Sequence, residues 1–241
     1  INPVPRLMIQ SHLQSVADDC TYKGGFNVTI GVENGELLAK KTLNERLGIM
    51  GGLSILGTTG IVRPFSCSAY IASIHQAIDV AIANGIEHIA ACTGSTSERA
   101  IQEFYKLPNM ALIEMGDIVG AVLKYLNRHS VPQLTLAGGF GKLTKLAQGA
   151  MNLHSNTSTI DFSFLTSLAA DAGAEPHLID QLRRANTGFE ALELAQQYEL
   201  PLADLVCNTA LTIVRSRLKT NTQVDIVAVD RQGNIVGQAP R

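Results

Sequence analysis

Glycines and small polar residues gather at a few points of this 241-residue sequence in patterns suited to gripping a ligand through the backbone. Gly57-Thr58-Thr59-Gly60 follows the apolar run Leu53 to Leu56. Thr93-Gly94-Ser95-Thr96, Met115-Gly116-Asp117 and Gly138-Gly139-Phe140-Gly141-Lys142 each stand between an apolar run and a helical period. Glycine permits close backbone approach, hydroxyls donate and accept, and the free N–H groups of a following helix favour negative or polar groups. The plain alternative for each is a tight strand-to-helix turn.

Glu114 lies twenty residues beyond Gly94, the spacing at which an acidic group meets a ribose in doubly wound folds, and Asp117 is close by. The dinucleotide fingerprint G-x-G-x-x-G is missing, which favours a nucleoside cofactor without a pyrophosphate. Gly141-Lys142 does not complete a nucleotide-triphosphate loop, because Leu136 and Leu143 occupy the required glycine and hydroxyl positions. In the polar stretch Asn152 to Asp161, His154 is a candidate for proton exchange and Asp161 for orienting it or holding substrate. The alternative there is capping of a helix that starts near Asp161. Histidines at 12, 75, 88, 129, 154 and 177 lack metal-ligand spacing, and the four cysteines form no C-x-x-C. No metal site is expected, and Cys67 and Cys92 read as buried free thiols of a reducing compartment.

The elements that must carry these loops follow from periodicity. Apolar runs at 53–56, 86–92, 110–114 and 133–137 read as strands, with helices at about 67–84, 97–106, 117–129 and 140–152. That alternation is the signature of parallel βαβ units, whose loops open on one edge where ligands bind. The expected fold is therefore α/β, a parallel-sheet Rossmann-like domain over residues 47–186. Helices broken at Gly173–Pro176, Thr187-Gly188 and Leu200-Pro201 follow, and a hairpin, Val224 to Val229 with Ile235-Val236, ends the chain. Near the start, a helix from Arg6 to about Val16 precedes an alternating stretch, Phe26 to Val32, that reads as a strand; Leu37 to Ala39 returns as a second strand or begins a helix. Residues 1–46 and 187–241 then form a discontinuous α+β second domain.

Composition limits the partners. The chain is 46% hydrophobic with net charge −2, has no basic stripe interleaved with aromatics, and has no apolar run long enough for a membrane span. Nucleic-acid and membrane roles are not expected, and a cytoplasmic location is. The first residue is Ile and not Met, so the chain is expected to begin inside a longer protein. Lys40, Lys41 and Arg46 read first as a solvated face.

Several ordered segments carry a family likeness. Ile1-Asn2-Pro3-Val4-Pro5-Arg6, Ala39 to Asn44, Leu47-Gly48-Ile49, Gly51 to Val62, Gly141-Lys142-Leu143 with Lys145-Leu146-Ala147 and Gly149, and His154-Ser155 resemble the CbiD family. Members of that family are cobalt-precorrin-5B C(1)-methyltransferases of the oxygen-independent route to cobalamin, usually longer at the amino end. The resemblance implies transfer of a methyl group from S-adenosyl-L-methionine to carbon 1 of a cobalt-corrinoid, giving cobalt-precorrin-6A. It implies a donor lying across Gly57, Thr58, Thr59, Gly60, Thr93, Gly94, Ser95 and Gly116, with Glu114 or Asp117 on the ribose. Lys41, Arg63, Lys142 and Ser155 would meet the substrate and its carboxylates, with His154 and Asp161 as the catalytic pair. Where the family commonly has Gly-His-x-Gly-Lys this chain has Gly138 to Lys142, so no role of that histidine transfers to Gly139. The competing readings are a non-catalytic corrinoid-binding or scaffold module and another nucleoside-cofactor α/β enzyme. A homo-oligomer is compatible with any of them.

Overall fold

The computed structural model describes residues 1–55 and 66–240. They fall into two compact units, Ile1–Tyr70 and Ile71–Arg241. In the first, α1 (Pro3–Asp19) starts with proline in its first turn, where the missing N–H costs nothing, and α2 (Gly35–Ala39) is short. A 3-10 turn follows at Glu45–Leu47. Phe26 to Val32 is not a strand: Phe26, Val28, Ile30 and Val32 stay about half exposed, and the alternation finds no pairing partner among the described residues. Leu37 to Ala39 takes the helical option. Leu53 to Ile55 is not strand either, and Leu56 lies outside the described residues, as does the loop from Gly57 to Gly60.

The second unit is mixed α/β. α3 (Cys67–Ala83), which lies in this unit from Ile71 onward, buries Ile74, Ala77, Ile78 and Ala81 along one stripe. Then come β1 (His88–Cys92), α4 (Ser95–Tyr105), β2 (Leu112–Glu114), α5 (Val119–Leu126), β3 (Gln133–Gly139) and α6 (Phe140–Ala147). α7 (Phe162–Asp171), α8 (Pro176–Arg184), α9 (Gly188–Gln197) and α10 (Leu202–Arg217) break where the glycine and proline signals fall. β4 (Gln223–Val229) and β5 (Ile235–Ala239) end the chain.

The sheet order is β2-β1-β3-β4-β5, with the first four strands parallel and β5 antiparallel to β4. The terminal hairpin thus belongs to the same sheet as β1 to β3, whereas the sequence reading grouped residues 187–241 with 1–46. The physical reason lies in Val224 to Val229, buried without a break, as a parallel strand covered on both faces must be. Ala90, Cys92, Leu112, Ala137 and Val227 pack with Ile101 of α4 on one face. α10 closes on the other, where a Cβ on Gly237 would come within 2.5 Å of the Ala203 Cβ. Asp225, 4% exposed on the α4 side, accepts from Gln133 Nε2 at 2.8 Å and Tyr105 Oη at 3.2 Å. Cys92 and Cys207 are buried, while Cys67, expected inside, is exposed.

Candidate functional site

Parallel pairing brings the carboxyl ends of β1, β3 and β4 to one edge, and the three segments that leave them form the wall of a cavity of about 770 Å³. Beyond β1 the chain passes through Thr93 and Gly94 into α4; beyond β3 it enters α6 directly at Phe140; beyond β4 it turns through Asp230 to Asn234. The first two exits touch. Thr93 N–H donates to the Ala137 carbonyl at 2.9 Å, and a Cβ on Gly138 would lie 2.7 Å from Thr93 Cγ2. A second tight contact seats the far wall: a Cβ on Gly188 would lie 2.8 Å from Ile160 Cδ1 and 3.1 Å from Gly141 Cα, so glycine lets the start of α9 press against the start of α6.

Other glycines leave room instead. A Cβ on Gly94 or on Gly139 would meet nothing within 4 Å, although both residues line the cavity. Gly94 is the N-cap of α4 and brings no side-chain acceptor, so the first-turn N–H groups of that helix have no intrahelical or capping partner.

The loop 152–160 lines the cavity through Leu153, His154, Ser155 and Ile160 and is held by fixed bonds. Leu153 N–H donates to the Asp117 carbonyl at 2.8 Å, and Lys145 Nζ donates to the Leu153 carbonyl at 3.0 Å. His154 Nδ1 accepts from the Asn156 N–H at 3.2 Å, which places the proton of the neutral ring on Nε2.

Thr93, Gly94, Ser95, Asp117, Lys142, His154 and Ser155 all line this cavity. Glu114 and Gly116 do not; Glu114 closes β2 beside Cys92. Asp161 does not line it either. It caps α7, its Oδ1 accepting from Ser163 N–H at 2.8 Å and Ser163 Oγ at 2.6 Å, and the side-chain bond first and the backbone bond second hold its carboxyl below the usual range. The capping alternative is the one the structure displays. Lys41 sits exposed in the first unit, and Arg63 lies outside the described residues.

Charge in the cavity is largely spoken for. Lys142 Nζ is 2.8 Å from Asp117 Oδ1. Asp230 accepts from the N–H groups of Gln232 and Asn234 and from Asn234 Nδ2; burial raises its carboxyl, but these bonds outweigh that and hold it low. Arg231 and the ring of Phe189 also line the cavity and went unread in the sequence, and so does Lys145, whose sequence reading is a solvated helix surface. Their signal was weak because Arg231 reaches this edge only once β4 is placed beside β3. Among the described residues no group of three His, Cys, Asp or Glu side chains could hold a metal ion, and no helix is long and apolar enough to cross a membrane.

Comparison with known proteins settles the family. The CbiD family model matches residues 1–64, and the model described as CbiD, C-terminal domain, matches residues 152–240. The chain belongs to the CbiD family. Among its relatives, the cobalt-precorrin-5B C(1)-methyltransferase of Burkholderia lata is 61% identical over 239 residues, 99% of this chain and 66% of the relative. The protein of the same name from Burkholderia pseudomallei is 60% identical over 240 residues, all of this chain and 66% of that relative. This CbiD chain therefore spans just under two thirds of the length of the relatives it matches. No solved structure matches it significantly.

Proposed function

We propose that this protein methylates carbon 1 of cobalt-precorrin-5B to give cobalt-precorrin-6A, with S-adenosyl-L-methionine as donor. The observation that carries the reading is the 61% identity, along 99% of the chain, to a protein named for that reaction. The fold supports it: four parallel strands, helices between them and a cavity at their carboxyl edge suit a Rossmann-like cofactor half.

The open cradle at Gly94 fits the donor. With no Cβ there and free N–H groups at the start of α4, Thr93, Gly94 and Ser95 would hold its polar parts against the backbone. Gly57 to Gly60 remain candidates from sequence alone. The donor supplies an electrophilic methyl group, and no covalent nucleophile is required of the protein. What the chain contributes is alignment, which in well-oriented pairs is worth roughly 7 to 11 kcal/mol. Lys142, held by Asp117, and Ser155 face the cavity where a carboxylate-bearing edge of the substrate would lie. His154, whose Nδ1 is taken by the Asn156 N–H, would offer its Nε2–H as a donor.

A Gly94→Val variant provides the test, because φ at Gly94 is 174°, extended backbone open to any residue. The variant is expected to melt with the wild type and to lose adenosylhomocysteine binding in calorimetry. Unchanged binding would remove the donor from this loop.

A further inference from the structure

Arg231 is the one cation of the cavity with no hydrogen-bond or ion-pair partner among the described residues. Lys142 is committed to Asp117, Lys145 holds the Leu153 carbonyl, and the neighbouring Asp230 spends its oxygens on its own turn. Arg231 instead lies over Phe189, its Cζ 4.4 Å from the ring centroid. A guanidinium resting over an aromatic ring spends none of its N–H groups on a hydrogen-bond acceptor, and the ring restricts where the charge sits. Phe189 is 36% exposed, an aromatic surface left uncovered at the start of α9 on the cavity wall.

We propose that Arg231, braced on Phe189, is the carboxylate clamp of this cavity. A planar fork with no internal counter-ion selects a planar, two-oxygen anion, and a carboxylate pairs with it bidentately. Two sources present that group: an acidic side chain on the rim of the tetrapyrrole, or the amino-acid end of the methyl donor. The turn that carries Arg231 sits against the first turn of α4, where a Cβ on Gly233 would be 3.6 Å from Thr96 Cγ2, so the clamp stands beside the loop assigned to the donor. The assignment rests on the methyltransferase reading for what enters the cavity.

The experiment compares wild type, Arg231→Gln, Arg231→Lys and Phe189→Leu in the intact protein. Arg231 is exposed, so Arg231→Gln is expected to melt with the wild type. If the clamp takes the substrate rim, Arg231→Gln raises KM for the corrinoid about tenfold or more, as loss of a charge-assisted pair does, with kcat and adenosylhomocysteine affinity unchanged. If it takes the donor, adenosylhomocysteine affinity falls by a similar factor while adenosine, which has no carboxylate, binds as before. In either case Arg231→Lys recovers only part of the loss, and Phe189→Leu loses less than Arg231→Gln. Unchanged KM and unchanged adenosylhomocysteine affinity overturn the clamp.

A readout independent of turnover separates this from the parent reading. Uroporphyrin, a tetrapyrrole polycarboxylate, is titrated and followed by its own fluorescence. A wild type that neither turns over nor binds adenosylhomocysteine refutes the methyltransferase reading. Uroporphyrin binding weakened by Arg231→Gln in that protein still upholds the clamp, and binding indifferent to it overturns the clamp too.

Discussion

The ammonium of Lys142 rests 2.8 Å from Asp117 Oδ1, and the pair joins the first turn of α6 to the segment between β2 and α5. With side-chain exposures of 39% and 24% it is a partly exposed pair, worth about 0–1 kcal/mol to stability. Its removal is expected to leave the melting temperature almost unchanged and to alter binding with opposite signs. Lys142→Gln weakens uroporphyrin binding, whereas Asp117→Asn releases a positive charge into the cavity and tightens it. Both effects shrink in high salt. Equal signs in the two titrations would show that the pair acts through shape and not charge.

Gly188 marks where α9 meets α6. Alanine is ordinarily the better helix former, yet Gly188→Ala drives a methyl into Ile160 Cδ1 and Gly141 Cα. The expected loss in urea unfolding is about 1–3 kcal/mol, as for overpacked cores. Trimming the obstacle with Ile160→Val recovers part of it, since the Gly141 backbone still stands in the way. Strict additivity of the two substitutions would contradict the contact.

Asp161 caps the start of α7. Because its carboxyl is held below the usual range by Ser163, its contribution is present when it is ionised, above the unfolded value, and is lost as pH falls through the lower folded value. Asp161→Ala is expected to lower the melting temperature at neutral pH, with the difference from wild type closing on acidification. Turnover is expected to stay at the wild-type level. A large fall in kcat with unchanged melting would return Asp161 to the reaction.

Tyr125 lies between His75 and His129, with ring centroids 4.1 and 4.2 Å away, and donates to Asp79 Oδ1 at 2.6 Å. Burial first, then the bond to Asp79 and the Asp79 charge, push its phenol up to about 12. The folded state holds this proton longer than the unfolded chain does. The stability it contributes is therefore full below the ordinary tyrosine value of 10.0 and disappears as pH rises towards about 12. Phenolate absorbance, read as wild type minus Tyr125→Phe, is expected to show the late titration, and Asp79→Asn to bring it forward. A titration at the ordinary value in the wild type would contradict the hydrogen bond.

Much of the frame was legible in the sequence because β1, β3 and the helices after them combine apolar runs with a clear change of period. The pairing of β4 was not. Its neighbour β3 is separated from it by residues 140–222, and a run of apolar residues does not name its partner. That single gap hid Arg231, whose turn reaches the cavity only when β4 stands beside β3. Phe26 to Val32 shows the converse, since alternation announces a face without supplying a strand to pair with it. The cavity loops at Thr93 to Ser95 and at Lys142 could be read because glycine and hydroxyl residues cluster there. Asp161 was ambiguous for a local reason: the residue type that can orient a proton is also the one that caps a helix.

The position of β4 has a consequence for how the molecule is made. During synthesis β1, β2 and β3 emerge early, but the flank of β3 that β4 will occupy stays bare while five helices are still to be completed or added. A parallel strand edge waiting on so distant a segment is a template for the wrong neighbour. In the nascent chain, crowding by other copies therefore competes with the arrival of Gln223 to Val229, and the yield of folded protein is set by that race.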